Sequence, residues 1–117
     1  MNFLDCSLNQ KGLDFGEFTV AISQGMRSEL TPHGSKFKFG IRPESIDTSK
    51  EQKRDWVPLT VNIVENIGIY KILNLSSNTI NIKSRVPEYV RVSEGDRVWV
   101  SFPENKVKIY KEDKKVH

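Results

Sequence analysis

The stretch "KFKFGIRPESID", residues 36–47, decides how the rest of the chain is read. Phe37, Phe39 and Ile41 fall on one face of an extended segment while Lys36 and Lys38 fall on the other, which predicts a half-buried strand. The strand must then stop, because Pro43 has no N–H for a sheet ladder and biases Arg42 away from helical backbone. A turn or short helix is expected to begin near Pro43, with Glu44 inside it. At this corner Gly40 is expected to let another backbone approach closely, and Arg42 offers a planar head with five donors. The corner reads first as a structural joint.

The same alternation recurs along the chain. Phe18, Val20 and Ile22 share a face, as do Leu59, Val61 and Ile63, the pair Ile80 and Ile82, the set Val98, Val100 and Phe102, and the pair Val107 and Ile109. Strands are therefore predicted near 17–22, 36–41, 57–66, 69–76, 79–84, 97–102 and 106–111. Asn66-Ile67-Gly68 should turn between two antiparallel strands, with Gly68 at positive φ. Residues 23–34 carry Gly25, Pro32 and Gly34 and read as a loop with at most one helical turn, and the polar residues 45–55 as a surface excursion covering little core. The chain is predicted to be all-β. Strands of this length must close on themselves or pack as two sheets, and a small barrel of the oligonucleotide/oligosaccharide-binding (OB) type suits the length best, with a sandwich as runner-up.

At 117 residues the chain has the size of one domain, residues 1–117, with roughly two-thirds of its unfolded surface available for burial. Hydrophobic residues at 37% and charged ones at 28% exclude a disordered chain. The start "MNFLDCSLNQ" lacks the basic and apolar segments of a secretion signal, so a cytoplasmic location is expected. The single cysteine, Cys6, cannot form an intramolecular disulfide, and its alternation with Leu4 and Leu8 marks a buried apolar position. A net charge of +3 points to no partner, and the lysine-rich tail "KIYKEDKKVH" reads as solvated and fraying.

Chemistry-bearing motifs are scarce. A phosphate-cradling loop needs G-x-x-x-x-G-K-[ST], and "HGSKF" fails because Ser35 separates Gly34 from Lys36. His33 and His117 lack Cys or carboxylate companions at ligand spacing, so no metal or other cofactor is expected, and no catalytic residue stands out. Glu65 follows Val61, Ile63 and Val64 in the phase of the apolar face, so it should either reach water at the strand end or meet a specific partner, for which Arg42 is the candidate. Trp99 shares a face with Arg97 and Ser101, and Tyr110 with Lys106 and Lys108. Aromatic and basic residues so placed suit either a nucleic-acid surface or the anchors of a protein interface.

"GIRPE", residues 40–44, resembles the hallmark "lGIRPE" of the C-terminal regulatory (TOBE, OB-type) domain of ATP-binding subunits in maltose-type sugar-importing ABC transporters. Other likenesses fall in the expected order. "MNFL" at 1–4 resembles "P-x-M-N-F" at the exit from the ATPase domain, "VNIVENIG" at 61–68 resembles "V-x-x-V-E-x-x-G", and "EGDRVWVSF" at 94–102 resembles "G-x-x-V-x-V-x-F". The resemblance implies an OB-type barrel without catalytic activity that contributes to regulation and to dimer contacts. Its partners would be its own ATPase domain, a second copy of the subunit and, indirectly, a membrane permease, at the inner face of the membrane; no nucleic acid is expected. It also implies that Arg42 can face the ATPase domain, and that Met1, at the family's internal methionine, marks an excised fragment or a split gene. Tyr70 and Lys111 stand where the family has acids, which sets apart any contact that needs them. The competing reading is a free-standing OB module for single-stranded nucleic acid or a small oxyanion.

Overall fold

A computed structural model describes residues 1–117. Eleven strands are present: β1 (Asn2–Asn9), β2 (Gly12–Asp14), β3 (Thr19–Val20), β4 (Lys36–Ile41), β5 (Asp47–Ser49), β6 (Val57–Asn66), β7 (Tyr70–Ser76), β8 (Asn81–Pro87), β9 (Arg97–Ser101), β10 (Lys108–Lys111) and β11 (Lys114–Lys115). They form a six-stranded sheet in the order β11-β10-β4-β1-β2-β3 and a five-stranded sheet in the order β5-β9-β6-β7-β8, antiparallel throughout. The all-β reading holds, with an OB-like curled sheet. The five-stranded sheet curls until its two edges approach, where the Thr48 and Ser84 hydroxyls bond at 2.8 Å. That bond satisfies Ser84, a fully buried polar residue of β8.

The inward faces merge into one cluster of 23 buried residues. Phe39 sits at its centre, edge-on to Phe15 at 5.0 Å and to Phe102 at 5.3 Å. Cys6 belongs to this core, where burial, with the charge of neighbouring Asp5, pushes its thiol up to about 12.

β4 and β6 occupy the bounds expected of them, and Gly68 turns with φ 102°. Other elements depart. Residues 17–22 supply only the two-residue β3, and 106–111 begin with a 3₁₀ turn at Glu104–Lys106 before β10. The loop at 23–34 contains a two-turn helix, α1 (Gln24–Leu30), which Ser23 caps by accepting from the Met26 N–H while Met26 and Leu30 bury one face. Gly25 disguised it. The polar excursion yields β5 and buries Ile46. The tail does not fray: β11 pairs with β10, and the Ile109 and His117 main chains bond at 3.0 Å. β1 is masked in sequence because its outward residues, Phe3, Asp5 and Ser7, mix apolar with polar.

Candidate functional site

Three regions could meet a partner: the corner after β4, the far end of the β6–β7 hairpin, and the outer face of the six-stranded sheet. At the corner, Pro43–Ser45 form the expected 3₁₀ turn, closed by the Ser45 N–H on the Arg42 carbonyl at 3.0 Å. Gly40 does not receive another backbone. A Cβ there would lie 3.0 Å from Met1 Sδ and 3.2 Å from Phe3 Cε1, so the missing side chain makes room for two side chains of β1 and the residue before it. The Arg42 and Glu44 side chains are exposed, and that of Arg42 has no hydrogen-bond or ion-pair partner within the chain. Beside the corner, Asn2 accepts from the Lys83 N–H and donates to the Lys83 carbonyl, both at 2.8 Å, and thereby joins β1 to the edge of β8. That clip was invisible in sequence, where Asn2 is one more polar residue.

Glu65 is not where its phase predicted. The register of β6 against β7 shifts between Val61 and Ile63, and the extra residue turns Ile63 and Glu65 outward. The cause lies on the other side of β6, where the Val61 N–H donates to the Asp96 carbonyl at 2.8 Å and its carbonyl accepts from Gly95 N–H at 2.7 Å. Beyond Thr60, which pairs with Arg97 at the start of β9, no β9 residue remains to pair with β6. Over this stretch β6 is therefore a free sheet edge on its β9 side, while β7 keeps β8 as a partner as far as the Tyr70–Pro87 pair. Glu65 accepts from Asn74 Nδ2 at 3.2 Å and forms no ion pair with Arg42. The expected pairing is absent because Arg42 sits at the turn that packs on β8, and β7 stands between β8 and β6.

The turn end of the β6–β7 hairpin is apolar and open. Ile67 and Ile69 flank Gly68, and Tyr70 pairs with Pro87, which brings the turn holding Tyr89 to the same end of the sheet. Ile69 is 79% exposed and Tyr89 78%. Behind them the Arg85 guanidinium lies 3.9 Å from the Tyr70 ring, and Lys71 Nζ donates to the Val90 carbonyl at 2.8 Å, so the platform is braced. The signal was present in sequence as isoleucines on both sides of a turn glycine, where polar residues are usual.

The two aromatic anchor candidates lie apart. Trp99 is half-buried in β9, flanked by Ser49 of β5 and Pro58 of β6. Tyr110 lies in the other sheet, edge-on to Phe3 at 6.1 Å. They form no common stacking platform.

Two carboxylates clasp the sheets together. Glu17, in the β2–β3 turn, accepts from the Thr79 hydroxyl and N–H and, at 3.2 Å, from the Asn78 N–H. The Thr79 hydroxyl, with those N–H groups, holds its pKa below the usual carboxylate range. Glu104 accepts from the Ser23 hydroxyl at 2.5 Å and the Ser23 N–H at 2.8 Å. Burial opposes its charge, but the Ser23 bonds and nearby His117 outweigh it and lower its pKa. His117 also meets Glu29 at 3.1 Å. No group of three or more His, Cys, Asp or Glu side chains is arranged to hold a metal ion, and no helix is long and apolar enough to cross a membrane.

Residues 1–46 match the family model of the MalK OB fold domain. The chain is 34% identical, over 94% of its length, to the trehalose/maltose import ATP-binding protein MalK of Thermococcus litoralis. It is 28% identical, again over 94%, to the sn-glycerol-3-phosphate import ATP-binding protein UgpC of Escherichia coli. The chain spans about a third of these relatives, 32% and 31% of their lengths. The likeness to ATP-binding subunits of sugar-importing ABC transporters, expected from the corner motif, holds along nearly the whole chain.

Proposed function

We propose that this chain, an all-β domain with the MalK-type OB fold, is the non-catalytic regulatory and dimerisation domain of the ATP-binding subunit of a sugar-type ABC importer. One observation carries the proposal: the likeness to import ATP-binding proteins runs over 94% of the chain yet occupies only 32% of a relative such as MalK of Thermococcus litoralis. A part of that size, built as β-strands around a hydrophobic core and without a phosphate-cradling loop, has the properties of an accessory domain. Its partners are an ATPase domain and a second copy of the subunit, with a permease engaged through the ATPase, on the cytoplasmic side of the membrane.

The braced apolar turn end of the β6–β7 hairpin is the surface best suited to such a contact. Ile67, Ile69 and Tyr89 expose apolar side chains at the same end of the sheet, the kind of surface that suits an interaction site on a small protein. Trp99 and Tyr110, half-buried in their sheets, are secondary anchors, and the free guanidinium of Arg42 can form a charge-assisted hydrogen bond to a neighbouring domain. Contacts between domains of one assembly are moderate in area and partly polar, so self-association of the chain alone is expected to be weak, around micromolar or worse. The reading is tested by light scattering over a concentration series and by pull-down with the separately expressed ATPase domain. Association in either supports it. A monomer that ignores the ATPase domain, and instead holds a labelled single-stranded oligonucleotide with steep salt dependence, overturns it in favour of a nucleic-acid module.

A further inference from the structure

On the outer face of the six-stranded sheet, strands β1, β4 and β10 lie side by side, and their outward residues line an open groove of about 630 Å³. The size falls within the range of small-ligand sites. Phe3, 54% exposed, and Tyr110 form one wall, their rings meeting edge to face. The rim is polar and balanced in charge: Lys36, Lys38 and Lys111 line it together with the carboxylates of Asp5, Glu112 and Asp113. Two of the lysines are already engaged, Lys38 with Asp5 at 3.7 Å and Lys111 with the Lys36 carbonyl at 2.9 Å.

The tight turn between β10 and β11 adds a second observation. Glu112 and Asp113 stand there at φ 51° and 68°, in left-handed backbone that such turns normally give to Asn-Gly. A glutamate at such a position stores backbone strain, which clusters at ligand-holding sites. The turn thus holds two carboxylates at the groove, both exposed, where Asn-Gly would fold with less strain.

We infer that this groove binds a neutral saccharide, stacked on Phe3 and Tyr110 and hydrogen-bonded by the lysine and carboxylate rim. Each sugar hydroxyl both donates and accepts, so a polyol is matched by a lining that offers ammonium donors and carboxylate acceptors together. An oxyanion or a phosphate backbone needs a net positive lining, which three lysines against three carboxylates do not provide. The inference does not depend on the transporter reading, because it rests on the groove alone.

The test is an amide-resolved NMR titration of the 117-residue chain with maltose as probe, alongside sulfate and a short oligothymidine. Saturable shifts confined to β1, β4 and the β10–β11 turn, with a dissociation constant around millimolar, are expected for maltose. Phe3→Ala should weaken binding at least tenfold. Glu112→Gly separates binding from folding: it relieves the left-handed strain and should raise the unfolding temperature while still weakening maltose binding severalfold. Absence of saturable maltose shifts, shifts with sulfate or oligothymidine in their place, or shifts that follow protein concentration alone would each overturn the inference. The last outcome would make a second copy of the chain the occupant.

Discussion

β4 and the outer half of β6 look alike as sequence and behave oppositely in the fold. In β4 the apolar phase of Phe37, Phe39 and Ile41 keeps to one face, and all three are buried. In β6 the phase of Leu59 and Val61 breaks one residue later, leaving Ile63 half exposed and Glu65 in solvent. The difference comes from the neighbours. β4 has β1 on one side and β10 on the other, whereas β6 loses β9 at Thr60 and bends where Val61 bonds to the Gly95-Asp96 turn. Alternation reports a buried face only while partners on both sides keep their register. Where a partner ends, the strand is free to bulge and turn its apolar residues outward.

The largest effect should come from truncating both sides of this contrast. Phe39→Ala, which empties the centre of the aromatic cluster, should cost about 3–5 kcal/mol in urea unfolding. Ile63→Ala, in the matching apolar phase of β6, should cost less than about 1 kcal/mol. Equal costs would break the comparison. Next, Gly68→Val forces a β-branched residue to φ 102° and should cost about 1–3 kcal/mol, against almost nothing for exposed Ile67→Val. Similar midpoints for the two variants would mean that the β6–β7 turn relaxes.

A smaller effect is tied to pH. Because the folded pKa of Glu17 lies below its unfolded value, its clasp on Thr79 adds stability above the ordinary carboxylate pKa and loses it as pH falls through the folded pKa. Glu17→Gln should lower the melting temperature at neutral pH and shrink the difference from wild type at acid pH. A gap that does not narrow there would remove the charge from the account. The smallest effect expected is none: Arg42→Ala and Glu65→Ala should be additive within about 0.5 kcal/mol, since the two side chains do not meet.

What was legible in the sequence was whatever a local pattern controls. The β4 alternation, the stop at Pro43 and the glycine turn at 68 depend on backbone chemistry within a few residues, and each appears where it was expected. Hidden were features set by partners distant in sequence. The β6 bulge is induced by a turn some thirty residues away, the Asn2 clip needs Lys83, and the Glu17 clasp needs Thr79. β11 became a strand only because β10 offered an edge to a tail whose own composition favours solvent. Of the candidate site, the corner and the β6–β7 turn with its flanking isoleucines were visible as motifs. The placement of Tyr89 at the same end was not, because it depends on the pairing of Tyr70 with Pro87.

On the proposed function, the open turn end of the β6–β7 hairpin, unlike β4, meets an importer-type ATPase domain. Sedimentation of the chain mixed with a separately expressed importer-type ATPase domain, before and after Ile69→Asp, is the decisive measurement. A complex is expected with the unaltered chain and its loss in the variant, whose melting temperature should not move because Ile69 is 79% exposed and contributes little to the core. A variant that binds as well as the original, or an unaltered chain that sediments alone, would contradict it.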